Sequence, residues 1–291
     1  MRENAAPSAS ARPFPCAIID ENAANVAQNP ALDSRKLYLT FHIDILRRLC
    51  DNINMEAAVY VFSVLSFLSG LGTAIFYQID RKKAATAAKM IAAALFCIAG
   101  IIGFCGRVQN TDACAVLLAG LFPATAGDWF LAKKELVAGD EKRDYLNFAL
   151  GVISFAVAQT LFIAAFILAT ARGGNYSFEF LPLAFLPPLF ALISMATKQV
   201  KIEKKRLPFI LIYGLFLGMT LSAAASRLYG NPDSVSAIIG VVGAAAFVLS
   251  DMSLACYYFA CKIPDRRLFN FPVMILYFGA QVLYVITMIT V

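Results

Sequence analysis

Eight long apolar runs decide what this chain can fold into. They lie at roughly 55–77, 85–106, 113–132, 146–170, 178–196, 208–227, 235–260 and 269–290. A helix needs about 20 residues to cross a hydrocarbon layer of about 30 Å. Lipid offers no partner to a bare peptide group, so only helices or closed barrels span it. Barrel strands alternate in polarity, and these runs do not. The expected fold is therefore an all-α membrane protein with a bundle of eight transmembrane helices. Charge content agrees: 15% of the 291 residues are charged, against about 25% in a soluble domain.

The net charge of +6 suggests nucleic acid until its distribution is read. Fifteen basic residues sit in the loops that join odd to even helices, among them Arg81, Lys133, Lys134, Arg206 and Lys262. The other three loops hold one each, at Arg107, Arg172 and Arg227. That asymmetry excludes nucleic acid as the reason for the charge and places the basic loops in the cytoplasm by the positive-inside rule. The sequence does not distinguish a bacterial inner membrane from the endoplasmic reticulum. Residues 1–54 are a different material, rich in Ala, Asn and Pro. They are expected to form a disordered or weakly structured extension, with 37–49 as a candidate amphipathic surface helix. The functional domain is expected to span 55–291. Seven scattered cysteines include no CxxC pair, and the single histidine, His42, lies in the tail. A histidine-ligated metal site inside the bundle is thereby excluded by inventory.

Two polar motifs interrupt the apolar runs and echo one another. GDWFLA at 127–132 closes the third run, and SDMSLA at 250–255 falls in the seventh. AQTLFI at 158–163 and AQVLYV at 280–285 fall in the fourth and eighth. Asp128 precedes Gln159 by 31 residues, and Asp251 precedes Gln281 by 30. The pattern fits two parallel four-helix repeats, although the first two helices of each half show no matching echo.

Depth follows from about 1.5 Å per helical residue. With the third helix ending near Ala132, Asp128 is expected about 6 Å inside the cytoplasmic face. Lys89 is expected at a similar depth, and Asp251 about 13 Å deep, level with Gln159 and Gln281. Each residue has a plainer alternative. Asp128 fits a solvated helix end, Lys89 a side chain that snorkels to the surface, and the glutamines simple interhelical links. Asp251 is hardest to explain that way, because a charge at mid-membrane costs a few kcal/mol and ordinarily faces a bundle interior or wet cavity. Both aspartates are expected on one cavity open to the cytoplasmic leaflet.

The order and spacing of these motifs resemble the YhhN family of membrane lysoplasmalogenases. The resemblance rests on G-D-x-x-L ending the third helix, S-D-x-x-L-A in the seventh, Y-F-G-A-Q at 277–281, FALGVISFAVAQTLFIAAF at 148–166, and a lysine in the second helix at Lys89. It covers about 55–291. It departs at Gln159, where family members commonly carry histidine. The resemblance implies hydrolysis of the vinyl ether bond of a lysophospholipid, releasing a fatty aldehyde and a glycerophospho-ethanolamine or -choline, with no metal or organic cofactor. It implies Asp128 and Asp251 as the catalytic pair, with Lys89, Gln159, Ser250, Tyr277 and Gln281 around the substrate. Burial favours the neutral form of a carboxyl in general. On that ground the deeper Asp251 is the expected general acid and Asp128 the water-activating base, with the reverse assignment left open. Membrane lipids are the other expected partners, and the oligomeric state is not legible. Two rivals remain. Intramembrane carboxylates and repeats also describe a proton-coupled transporter, and a non-catalytic lipid-binding protein fits the same composition.

Overall fold

The structure, a computed structural model, describes residues 55–106, 110–136, 139–171, 176–261 and 266–290. The tail expected over 1–54, with its surface-helix stretch, His42, Cys16 and Cys50, lies outside them. Eight α-helices are found among the described residues: α1 Met55–Gln78, α2 Lys82–Cys105, α3 Thr111–Leu136, α4 Glu141–Ala171, α5 Leu186–Ala196, α6 Leu207–Gly230, α7 Val235–Phe259 and α8 Asn270–Thr290. Short 3₁₀ segments, Phe178–Phe185 and Arg266–Phe269, lead into α5 and α8. Each of the eight expected spans is long and apolar enough to cross a membrane, the fifth by counting its 3₁₀ lead-in. The protein is a multi-pass membrane protein.

The helices form hairpins α1–α2, α3–α4 and α7–α8, with α8 also against α1 and α2, and α6 against α4, α5 and α7. Lipid tails are as apolar as leucine, so close packing by small residues holds such bundles together. A Cβ on Gly120 would stand 2.5 Å from the Phe162 ring, and one on Gly127 would stand 2.6 Å from the Phe155 ring. These glycines let α3 lie against α4. The sequence echo has a packing counterpart in the second half, where Gly243 backs onto Tyr284 of α8. Phe162 and Tyr284 then meet at the centre, ring centroids 4.8 Å apart. Phe155, Phe247 and Tyr277 continue this buried aromatic cluster.

The fifth span breaks the regularity. Pro182, Pro187 and Pro188 deny it backbone donors, so it runs as 3₁₀ to Phe185 before Pro187 enters the first turn of α5. The span leans on α6 and is only loosely engaged by α7. At the opposite end of α5, Lys198 takes a left-handed conformation that turns the chain. An isolated antiparallel bridge, Val200 to Ala260, then ties the α5–α6 loop to the end of α7, with Lys201 N–H donating to the Phe259 carbonyl at 2.9 Å.

Helix ends alter the expected depths. The third helix does not stop near Ala132 but continues to Leu136, carrying Lys133 and Lys134 in its last turn. Basic side chains suit a helix C-terminus, where carbonyl dipoles point outward. Asp128 therefore lies eight residues from the end of α3, as Asp251 lies eight from the end of α7. Both sit about 12 Å inside their helix ends. Lys89, seven residues into α2, is at nearly the same level.

Candidate functional site: two carboxylates at one depth

Asp128 is sealed in the bundle, with 1% of its surface exposed. Lys89 Nζ stands 2.9 Å from its Oδ1, and the Tyr277 hydroxyl donates to its Oδ2 at 2.7 Å. Helices α2, α3 and α8 thus meet at one carboxylate. Lys89 does not snorkel to the surface; it is itself only 7% exposed. A buried pair of this kind offsets desolvation by mutual attraction, and removing one partner costs about 3–5 kcal/mol because the other charge is stranded. The ion pair and the phenol hydrogen bond are what make a carboxyl tolerable at this buried position.

Asp251 has a different setting. Its Oδ2 accepts a hydrogen bond from the Tyr213 hydroxyl of α6. Both residues line a cavity of about 90 Å³ between α4, α5, α6 and α7. The remaining wall is mostly hydrocarbon: Phe148, Phe155, Pro187, Phe190, Leu217 and Met252 are representative. The cavity exists where the proline-broken fifth span fails to close against α4.

The expectation that both aspartates face one cavity is not met. Asp251 lines the larger cavity and Asp128 does not. Lys89 lines a smaller neighbour with Tyr77, Glu135 and Asn270. Leu131, Leu254 and Tyr258 form a wall common to both. The physical reason is Phe155, made possible by Gly127. Its ring packs against both Tyr277 and Tyr213, with centroid separations of 6.0 and 6.4 Å. The phenol donors of the two carboxylates thus both pack on one aromatic ring.

The remaining sequence-predicted residues support this centre from behind. The Gln159 carbonyl accepts from Thr220 at 2.7 Å, and its amide nitrogen makes no well-formed hydrogen bond among the described residues. Gln159 also lies near the Tyr213 hydroxyl. Gln281 bears the same relation to the Tyr277 hydroxyl. Both glutamines are fully buried, and neither lines the larger cavity. Ser250 is occupied elsewhere: its hydroxyl donates to the Val273 carbonyl at 3.0 Å and ties α7 to α8.

With this arrangement in view, the comparison with known families is decisive at the level of kinship. The chain belongs to the YhhN family. That family's model matches residues 83–288, most of the chain. No match was found among curated proteins or solved structures. The matched segment runs from the first turn of α2 into the last turn of α8, so it includes Lys89, Asp128, Tyr277, Tyr213 and Asp251.

Sequence reasoning missed Tyr213. It stands in an unbroken apolar run, LPFILIYGLFLG, and tyrosine is ordinary there. The available signal was depth. Tyr213 is six residues into α6, which puts its ring near the level of the aspartates, and a buried phenol ordinarily finds a partner.

Proposed function

We propose that this protein hydrolyses the vinyl ether bond of a lysophospholipid, and that Asp251 is the group that protonates it. The observation that carries the reading is a lone carboxyl, held by Tyr213, set in the wall of an otherwise apolar cavity of a YhhN protein. The ether end of the alkenyl chain enters that cavity. The length of the chain is unspecific hydrocarbon contact; its double bond is what the carboxyl addresses.

The chemistry follows from the substrate. The Asp251 carboxyl gives its proton to the alkenyl carbon one removed from the ether oxygen. The positive charge that results is shared between the ether oxygen and its neighbouring carbon. Glycosidases stabilise a related oxocarbenium ion with paired carboxylates. Water adds to the charged carbon and returns one proton to Asp251, leaving a hemiacetal. The hemiacetal hydroxyl then loses its proton as the carbon–oxygen bond to glycerol breaks, and the departing oxygen is protonated. One water is consumed, and a fatty aldehyde and a glycerophospho-alcohol are released. Tyr213 fixes the orientation of the Asp251 carboxyl. Asp128, neutralised in part by Lys89, acts through its field across Phe155 rather than by touching water. The expected division of labour is therefore kept for the acid and revised for the base. In this reading Lys89 serves Asp128 rather than the substrate.

Asp251→Asn preserves volume and removes the transferable proton. Loss of a general acid ordinarily lowers rates by about 10²–10⁴-fold. Aldehyde release by the purified variant should fall within that range while its elution from a sizing column is unchanged. A well-folded variant with the parent's rate would remove Asp251 from the chemistry. Substrate accumulation inside proteoliposomes without aldehyde would favour a carrier instead.

A further inference from the structure

At the end of the cavity nearest the basic loops, two cations are held side by side under cover. Lys134, from the last turn of α3, and Arg206, at the start of α6, are both turned inward, their side chains 12% and 10% exposed. Both engage Asp144 of α4, Lys134 at Oδ1 and Arg206 at Oδ2. Each cation also lies on an aromatic ring of the cavity wall. Lys134 Nζ is 3.9 Å from the Tyr258 centroid, and the Arg206 guanidinium carbon is 5.1 Å from that of Phe148. Lys134, Arg206 and Lys205 are set against Asp144 and Glu203, and the surplus positive charge at this end of the bundle belongs to the basic loops around it. Glu203, the other acidic partner of Arg206, is half exposed to solvent and also engages Lys205. Glu135 lines the smaller cavity.

We infer that Lys134 and Arg206 form the phosphate-binding subsite for a single-chain phospholipid whose ether end lies in the cavity. The inference rests on the hydrolase reading for the identity of the lipid, and its geometry adds a ruler. Lys134 follows Asp128 by six residues and Arg206 precedes Tyr213 by seven, so both are displaced by about 9–11 Å along their helices toward the basic loops. From a vinyl ether carbon through glycerol to phosphorus is an extended chain of roughly 8 Å, given bonds of about 1.5 Å. A lipid with its double bond at Asp251 places its phosphate at this rim. Guanidinium suits phosphate geometrically, and charge-assisted bonds to it are the strong class. Asp144 holds the two cations apart and in place before the lipid arrives. The bridge between Val200 and Ala260 anchors the loop that delivers Arg206.

The test is binding without turnover. The full chain in detergent is titrated with a saturated 1-alkyl lysophospholipid, which has no double bond to cleave, and with the matching 1-alkylglycerol, which has no phosphate. The parent should bind the phospholipid about tenfold or more tightly, the scale of one charge-assisted bond. Lys134→Gln with Arg206→Gln should abolish the preference and leave alkylglycerol affinity unchanged, while Arg206→Lys alone should retain most of it. Inorganic phosphate at millimolar concentration should compete weakly with the lysophospholipid. Equal binding of both lipids by the parent would overturn the subsite, whether or not the double variant folds. So would a preference that survives in the double variant, or full displacement by inorganic phosphate, which would make this a free-anion site. Because no step is catalytic, a preference seen without any aldehyde from the vinyl ether substrate would leave the subsite standing and remove the hydrolase reading.

Discussion

Asp128 and Asp251 occupy matching sequence frames and lie at one depth, yet their neighbours divide them into different kinds of group. Asp128 is matched to a lysine and a phenol and closed off; Asp251 is matched to a phenol and left facing a cavity. The Tyr213 hydroxyl is the contact that fixes which way the exposed carboxyl points. Tyr213→Phe removes that donor while keeping the ring against Phe155. Its aldehyde-release rate should fall by up to about tenfold, consistent with the roughly 0.5–1.5 kcal/mol of a hydrogen bond between uncharged groups. Thermal stability should change little, and an unchanged rate would show that Asp251 needs no such orientation. Much of this centre was legible in the sequence. A carboxylate inside an apolar run is conspicuous by its cost, and the lysine at matching depth names its own partner. Tyr213 was hidden because a phenol is cheap in a membrane helix, and polarity alone does not separate a packing tyrosine from a positioning one. Ser250 shows the converse. Its place beside Asp251 suggested substrate contact, but helical geometry turns adjacent residues to different faces, and its hydroxyl is spent on the Val273 carbonyl.

Apolar length gave all eight spans, and their ends were the weaker part. Lys133 and Lys134 made the third run look finished at Ala132, although charged residues are at home in the last turn of a membrane helix. That extra turn moved Asp128 to the level of Asp251. The consequence of the proline pair in the fifth span was not legible, since a cavity depends on what fails to pack. Gly218 holds the remaining contact in place. A Cβ there would meet the backbone of Ala184, including its carbonyl carbon at 2.7 Å, in the 3₁₀ lead-in to α5. Backbone has little room to yield. Gly218→Ala should therefore lower stability by about 1–3 kcal/mol, as overpacking does. Gly72→Ala on α1, with nothing within 4 Å of its added carbon, should be neutral or slightly stabilising. Both are read as shifts in detergent melting temperature, and equal shifts would contradict the packing of the fifth span onto α6.

Taken as a whole, the bundle has a tight half and an open half. The α3–α4 and α7–α8 hairpins echo each other down to the glycines beneath Phe162 and Tyr284. The helices around them do not, because α1 seals against α8 whereas α5 leaves α4. That asymmetry leaves the larger cavity bordered by Asp251 alone of the two aspartates. The account's central claim is that a carbon–carbon double bond beside the ether oxygen is protonated there. The direct test offers the purified protein two lysophospholipids that share headgroup and chain length and differ only in that bond, one a vinyl ether and the other its saturated ether. The account predicts stoichiometric fatty aldehyde and glycerophospho-alcohol from the vinyl ether and no cleavage of the saturated ether, which has no carbon to accept the proton. Equal cleavage of both, or aldehyde from neither while both bind, would contradict it.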